Sequence, residues 1–94
     1  MKPIKPLHKK EKLIGYTMLC PGCDELHAIY TDYDNHPNWS FDGNVDNPTF
    51  TPSLRVRFHD GKICHSFIKD GKWQFLNDCH HSLAGQTIPM TFID

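Results

Sequence analysis

Leu54-Arg55-Val56-Arg57-Phe58-His59-Asp60-Gly61-Lys62-Ile63-Cys64-His65-Ser66-Phe67-Ile68-Lys69-Asp70-Gly71-Lys72-Trp73-Gln74-Phe75-Leu76-Asn77 is the stretch that decides the fold class. Residues 54–58 alternate apolar and basic, the period of a half-buried strand. Asp60-Gly61 and Asp70-Gly71 are type I′ hairpin signals, so 62–68 and 72–77 continue as strands and the whole predicts a three-stranded antiparallel meander. Directly opposed residues share a face. Two-residue turns would pair Phe58 with Ile63, Val56 with His65, Ser66 with Phe75 and Cys64 with Asn77. Leu54, Val56, Phe58, Ile63, His65, Phe67 and Leu76 would then line one face. Arg55, Arg57, Cys64, Ser66, Ile68, Trp73 and Phe75 would line the other. A bulge or a three-residue turn would reverse the assignment.

Upstream, Cys20-Pro21-Gly22-Cys23 has the spacing and turn residues of a zinc knuckle, with strands expected over 13–19 and 25–31. The only other cysteines are Cys64 and Cys79. Strand parity places Cys79 beside Cys64, so the knuckle can close over that pair into a site of Cys20, Cys23, Cys64 and Cys79. Zn²⁺ is the expected ion. An iron–sulfur cluster uses the same ligands; of His65, His80 and His81 beside the late cysteines, His65 faces away from Cys64 on a regular strand, so the fourth position falls to Cys64, His81 or water. No βαβ helix follows the knuckle, which argues against a redox dithiol. Asp78 can cap a short helical turn through Ala84, with Gly85 as its stop and a last edge strand over 86–93.

The 94 residues carry a formal charge of −1 and are 38% apolar, enough for one modest core and too near neutrality for whole-molecule attraction to nucleic acid. The positive charge gathers at the start, in Lys2, Lys5, Lys9, Lys10 and Lys12. Residues 1–12 therefore read as a flexible basic arm, and 13–94 as a single zinc-binding β domain. No segment is long and apolar enough to span a bilayer, and no signal-peptide core follows the basic start. The expectations are no membrane partner, a cytoplasmic location and reduced cysteines available to a metal. Residues 32–52, rich in Asn, Asp and Pro, read as a long loop anchored by Trp39, Phe41 and Phe50.

Four thiolates would close a zinc shell and leave no position for water, making the metal structural. Chemistry has to be sought elsewhere, and His27, His65 and His81 are the candidates for a histidine-lined hydrolytic site. An acid such as Asp78 is a further partner for His65. There is no Walker A loop, no H-E-x-x-H helix, no serine elbow and no zinc-deaminase signature. Arg55 and Arg57 with Trp73 and Phe75 nearby offer a face for single-stranded nucleic acid. A protein partner is the other binding class, with Trp39 and Phe41 as anchors.

From Leu19 onward the chain resembles a family of small bacteriophage and prophage proteins often mislabelled "ammonia monooxygenase". The resemblance is carried by Cys20-Pro-Gly-Cys23 with His27, Trp39-Ser-Phe-Asp-Gly-Asn44 and Pro48-Thr-Phe-Thr-Pro-Ser-Leu54. It continues with Cys64-His-Ser-Phe67, Phe75-Leu-Asn-Asp-Cys79 and His81-Ser-Leu-Ala-Gly-Gln-Thr87. It implies that His65 and His81 belong to the family pattern, that His80 departs from it, and that Asn44, Thr49 and Ser53 are parts of an organised site or loop. It brings no activity with it, and nothing in the chain is similar to a membrane copper enzyme. The sequence thus describes a small zinc-stabilised, mostly-β phage-type protein in the host cytoplasm. Its expected role is to bind a host or phage macromolecule, with metal-dependent hydrolysis as the alternative.

Overall fold

The structure, a computed structural model, describes residues 2–93. Its strands are β1 (Lys5–Lys9), β2 (Lys12–Cys20), β3 (Glu25–Tyr30), β4 (Ser40–Phe41), β5 (Phe50–Arg57), β6 (Ile63–Lys69), β7 (Lys72–Phe75) and β8 (Thr87–Pro89). They form two antiparallel sheets, β1-β2-β3 and β4-β5-β6-β7-β8. No helix occurs among the described residues. The helical turn expected over 78–84 is instead a set of separate turns, closed by Cys79 N–H to the Leu76 carbonyl and Ala84 N–H to the His81 carbonyl, both at 3.2 Å. The expected last strand is confined to β8.

The segment read as a flexible arm contains β1, paired with β2 through a hairpin tip at Lys10 and Glu11, both at positive φ. Apolar contacts hold it down, because Pro3 and Ile4 are buried and Ile4 joins the core. Lys5, Lys9, Lys10 and Lys12 are exposed, so their charge does not conflict with that burial.

Alternation along each strand builds a two-layer sandwich. Tyr16, Met18 and Cys20 of β2 face inward with His27 and Ile29 of β3, against Phe50, Leu54, Cys64, Ile68, Trp73 and Phe75 of the larger sheet. Phe41 and Phe50 stack at 4.6 Å with Tyr16 edge-on to Phe41 at 5.0 Å, so the long loop is tied down by the aromatics expected to anchor it. Among the described residues no helix is long and apolar enough to cross a membrane.

The two Asp-Gly turns differ. Asp70 and Gly71 both take positive φ and close a two-residue hairpin, with Ser66 opposite Phe75 and Ile68 opposite Trp73 as expected. At the first turn only Gly61 has positive φ, and Phe58 N–H bonds the Lys62 carbonyl at 2.9 Å, which leaves a three-residue loop. The β5–β6 register therefore moves by one: Val56 opposes Cys64, Arg55 opposes His65 and Arg57 opposes Ile63. Leu54 and Val56 join Cys64, Trp73 and Phe75 on the inner face, and Arg55, His65 and Phe67 stand on the outer one. This corrects the parity assignment for β5. It also removes the proposed nucleic-acid face, because Trp73 and Phe75 are buried on the side opposite the arginines.

Farther along β5 the ladder is interrupted. Phe50 opposes Ile68 and Leu54 opposes Ser66, so Thr51, Pro52 and Ser53 together face the single residue Phe67. Pro52 has no N–H to give a ladder, and bulges of this kind re-aim side chains beside functional sites.

Gly15 is fixed by close approach: a Cβ there would lie 2.2 Å from the Ile29 carbonyl oxygen and 2.8 Å from the Tyr30 Cα. Both are backbone atoms of β3 and cannot swing away. Gly15→Ala is expected to cost about 1–3 kcal/mol as an overpacking change. At this chain length that lowers Tm by on the order of 10 °C, readable by thermal unfolding.

Candidate metal centre and serine–histidine–aspartate row

The β2–β3 hairpin supplies the knuckle. Cys20 ends β2, its carbonyl accepts Asp24 N–H at 2.8 Å, and its sulfur accepts Cys23 N–H at 3.4 Å. The inner face of β6 brings up Cys64, whose sulfur lies 3.9 Å from that of Cys20. With Zn–S bonds of about 2.3 Å, sulfurs at two corners of a tetrahedron stand about 3.8 Å apart. The pair is therefore already at coordination spacing.

Donor atoms of Cys20, Cys23, His27 and Cys64 all lie within 4.8 Å of one another, and so do those of Cys64, Cys79 and His81. The groups share Cys64, and no group contains all four cysteines. These Cys/His groups are positioned to hold a metal ion. His27 is buried at 4% exposure and its Nε2 has no hydrogen-bond partner among the described residues. An unpaired buried imidazole nitrogen is costly, and ligation would satisfy it. His81 packs its ring on Gly22, where a Cβ would come within 2.4 Å of two ring nitrogens, and holds Nε2 3.5 Å from the Cys64 sulfur. His80 stands outside the core with Nε2 3.3 Å from the Cys23 sulfur.

The thiols share protons unequally. The hydrogen bond from the Cys64 thiol, opposed by burial, holds Cys20 down to about 3. Burial and then the Cys20 charge push Cys23 up to about 12. Cys64 is pushed up by the proton it gives to Cys20 and by burial. Like charges this close oppose one another's ionisation, and a cation bound among the sulfurs would favour more than one thiolate.

On the opposite side of β6 stands a second arrangement. His65 Nδ1 lies 3.1 Å from Asp78 Oδ2, and Nε2 lies 3.1 Å from Ser53 Oγ. An ionised carboxylate only accepts, so Nδ1 carries the proton, which leaves Nε2 to accept from the Ser53 hydroxyl. The outward bulge at 51–53 delivers Ser53, and Trp39 Nε1–H bonds the Ser53 carbonyl at 3.2 Å. Asp78 comes from the turn after β7. The imidazole side chain is 23% exposed and the Asp78 side chain 53%, so the row opens to solvent.

One residue couples the two sites. The Cys79 sulfur accepts His65 N–H at 3.2 Å and donates to the His65 carbonyl at 2.9 Å, while Cys64 is the residue before His65. The three histidines singled out from the sequence therefore occupy three settings: His27 among the knuckle sulfurs, His81 beside Cys64 and Cys79, and His65 between Ser53 and Asp78. Asp78 was named from sequence as a partner for His65. Ser53 belongs to the Pro48–Leu54 motif that carries the family resemblance, but no serine elbow marks it as a nucleophile, because it sits on a bulged strand.

A family model described as "Bacterial ubiquitination-like system serine protease (BubE)" matches residues 4–76. That span includes Ser53, His65 and the Cys20, Cys23, His27 and Cys64 group, and it stops before Asp78. No curated protein and no solved structure matches the chain.

Proposed function

Because the chain belongs to the BubE family, we propose that it is a serine protease in which Ser53, His65 and Asp78 form the catalytic triad. The observation that carries this reading is the imidazole bridging a hydroxyl and a carboxylate at 3.1 Å on each side. A triad is identified by geometry and roles rather than by chain order, and here the order is Ser, His, Asp. Ser53 Oγ attacks the scissile carbonyl as its proton passes to His65 Nε2. The imidazolium, steadied by Asp78, returns that proton to the leaving amine as the C–N bond breaks. Water then hydrolyses the acyl-serine with His65 as base.

Zinc has a structural role in this proposal. Cys20, Cys23 and Cys64 supply three thiolates and His27 the fourth donor, in place of the Cys79 expected from parity. His27 is favoured because its group alone offers four donors within 4.8 Å and its Nε2 is otherwise unpaired. Four protein ligands fill the shell. Chemistry then falls to the outer face of β6 and structure to its inner face. The substrate is a polypeptide of a ubiquitination-like system, and the likeness to phage and prophage proteins is kept as part of the same proposal.

Labelling with a fluorophosphonate tests the triad. One covalent adduct per chain on the Ser53 peptide, lost in His65→Ala, is expected by mass spectrometry. An adduct on another residue, or none in folded metal-loaded protein, would sink the assignment.

A further inference from the structure

Resting on the protease reading, we infer that the outer-face cavity beside Phe67 is a substrate subsite for an apolar side chain flanking the scissile bond. His65 and Phe67 are two residues apart on β6, so they share the outer face about 7 Å apart along the strand. The bulge that turns Ser53 toward His65 also sets Thr51 across from Phe67. Phe67 pairs on its other side with Gln74. Between them lies a cavity of about 350 Å³ whose lining includes Thr49, Thr51, Phe67, Lys69 and Gln74.

Its chemistry fits a side chain in particular. The volume is near the lower end for ligand pockets, too small for a folded partner and ample for a leucine or phenylalanine side chain. Phe67 is 42% exposed. An isolated exposed aromatic needs no explanation, but this one lines a recess two residues along β6 from His65. Lys69, Thr51 and Gln74 give the lining polar groups, while the Phe67 ring gives it apolar surface. In an extended substrate successive residues advance by about 3.5 Å, so the residue next to the attacked carbonyl lies within reach of the recess.

The test uses metal-loaded protein and internally quenched Gly/Ser peptides that carry a single Leu, Phe, Asp or Gly at one central position. Cleaved bonds are identified by mass spectrometry. Cleavage is expected next to Leu or Phe, with kcat/KM at least tenfold above the Gly peptide, in the range one apolar contact provides. Phe67→Ala should shrink that Leu-to-Gly ratio at least fivefold, and Phe67→Leu should restore part of it. Equal cleavage of all peptides, preference for Asp, no cleavage at all, or a ratio unmoved by Phe67→Ala overturns the subsite. Fluorophosphonate labelling of Ser53 in the same samples separates the two failures. An adduct without apolar preference removes only the subsite, whereas no adduct removes the triad.

Discussion

Ser53→Ala is expected to lower peptide hydrolysis about 10⁴-fold or more while leaving the melting transition within a few degrees of the parent. The size follows from the chemistry: without Oγ there is no atom to form the acyl intermediate, and removing the serine or the histidine alone costs about as much as removing the whole triad. The same logic predicts non-additivity. His65→Ala should fall as far as Ser53→Ala, and the double variant no further. Asp78→Asn should cost less, about 10²–10⁴-fold, because an amide favours the wrong imidazole tautomer while the Asp78 site is half open to water that can partly orient the ring. Stability is spared because Ser53 is only half-buried and, among the described residues, its hydroxyl makes one hydrogen bond, to His65. A variant lacking Ser53 Oγ that keeps activity within tenfold of the parent would place the nucleophile elsewhere. A drop for Asp78→Asn matters separately, since the family match ends at residue 76 and this carboxylate is assigned by geometry.

The meander and the knuckle were legible in the sequence because each is set by short-range chemistry. Asp70-Gly71 adopts the two positive φ values that a two-residue turn requires, and Cys20-Pro21-Gly22-Cys23 folds back between two strands. The β5 face was not legible. Asp60-Gly61 is the same dipeptide as Asp70-Gly71 but closes a longer loop, and a shift of one residue moves every side chain of a strand to the other face. What selects the longer loop is tertiary: it lets Leu54 and Val56 join Cys64 against the second sheet, where a two-residue turn would have turned Arg55 and Arg57 inward. The Ser53 contact was hidden for the same kind of reason, since it exists only because three residues of β5 bulge opposite Phe67. His65 with Asp78 could be suggested from residue types, but the partner on the other ring nitrogen required the bulge.

Stripping the metal should silence the protease as well as loosen the fold, although by this reading the ion touches no substrate. Structural zinc contributes apparent binding energies of about 10–16 kcal/mol, against a total stability of about 5–15 kcal/mol for a domain, so the metal-free chain is expected to be largely unfolded. The path to the triad is short and covalent. Cys64 and His65 are neighbours whose side chains leave β6 on opposite faces, and the Cys79 sulfur bonds the His65 N–H and carbonyl. Treatment with a tight chelator should therefore remove one equivalent of zinc, broaden or abolish the cooperative melt, and end both peptide cleavage and fluorophosphonate labelling, with all three restored by added Zn²⁺. Cys20→Ser, Cys23→Ser and Cys64→Ser should each lose the metal. Single replacements of His27, Cys79 and His81 then discriminate the fourth position. Metal loss in His27→Ala with retention in Cys79→Ser gives the Cys3His site, and the reverse returns the fourth place to Cys79. Cys79→Ser retaining zinc but losing turnover would show that its sulfur serves to hold His65 in line, while full activity in demetallated protein would separate the two faces of β6 altogether.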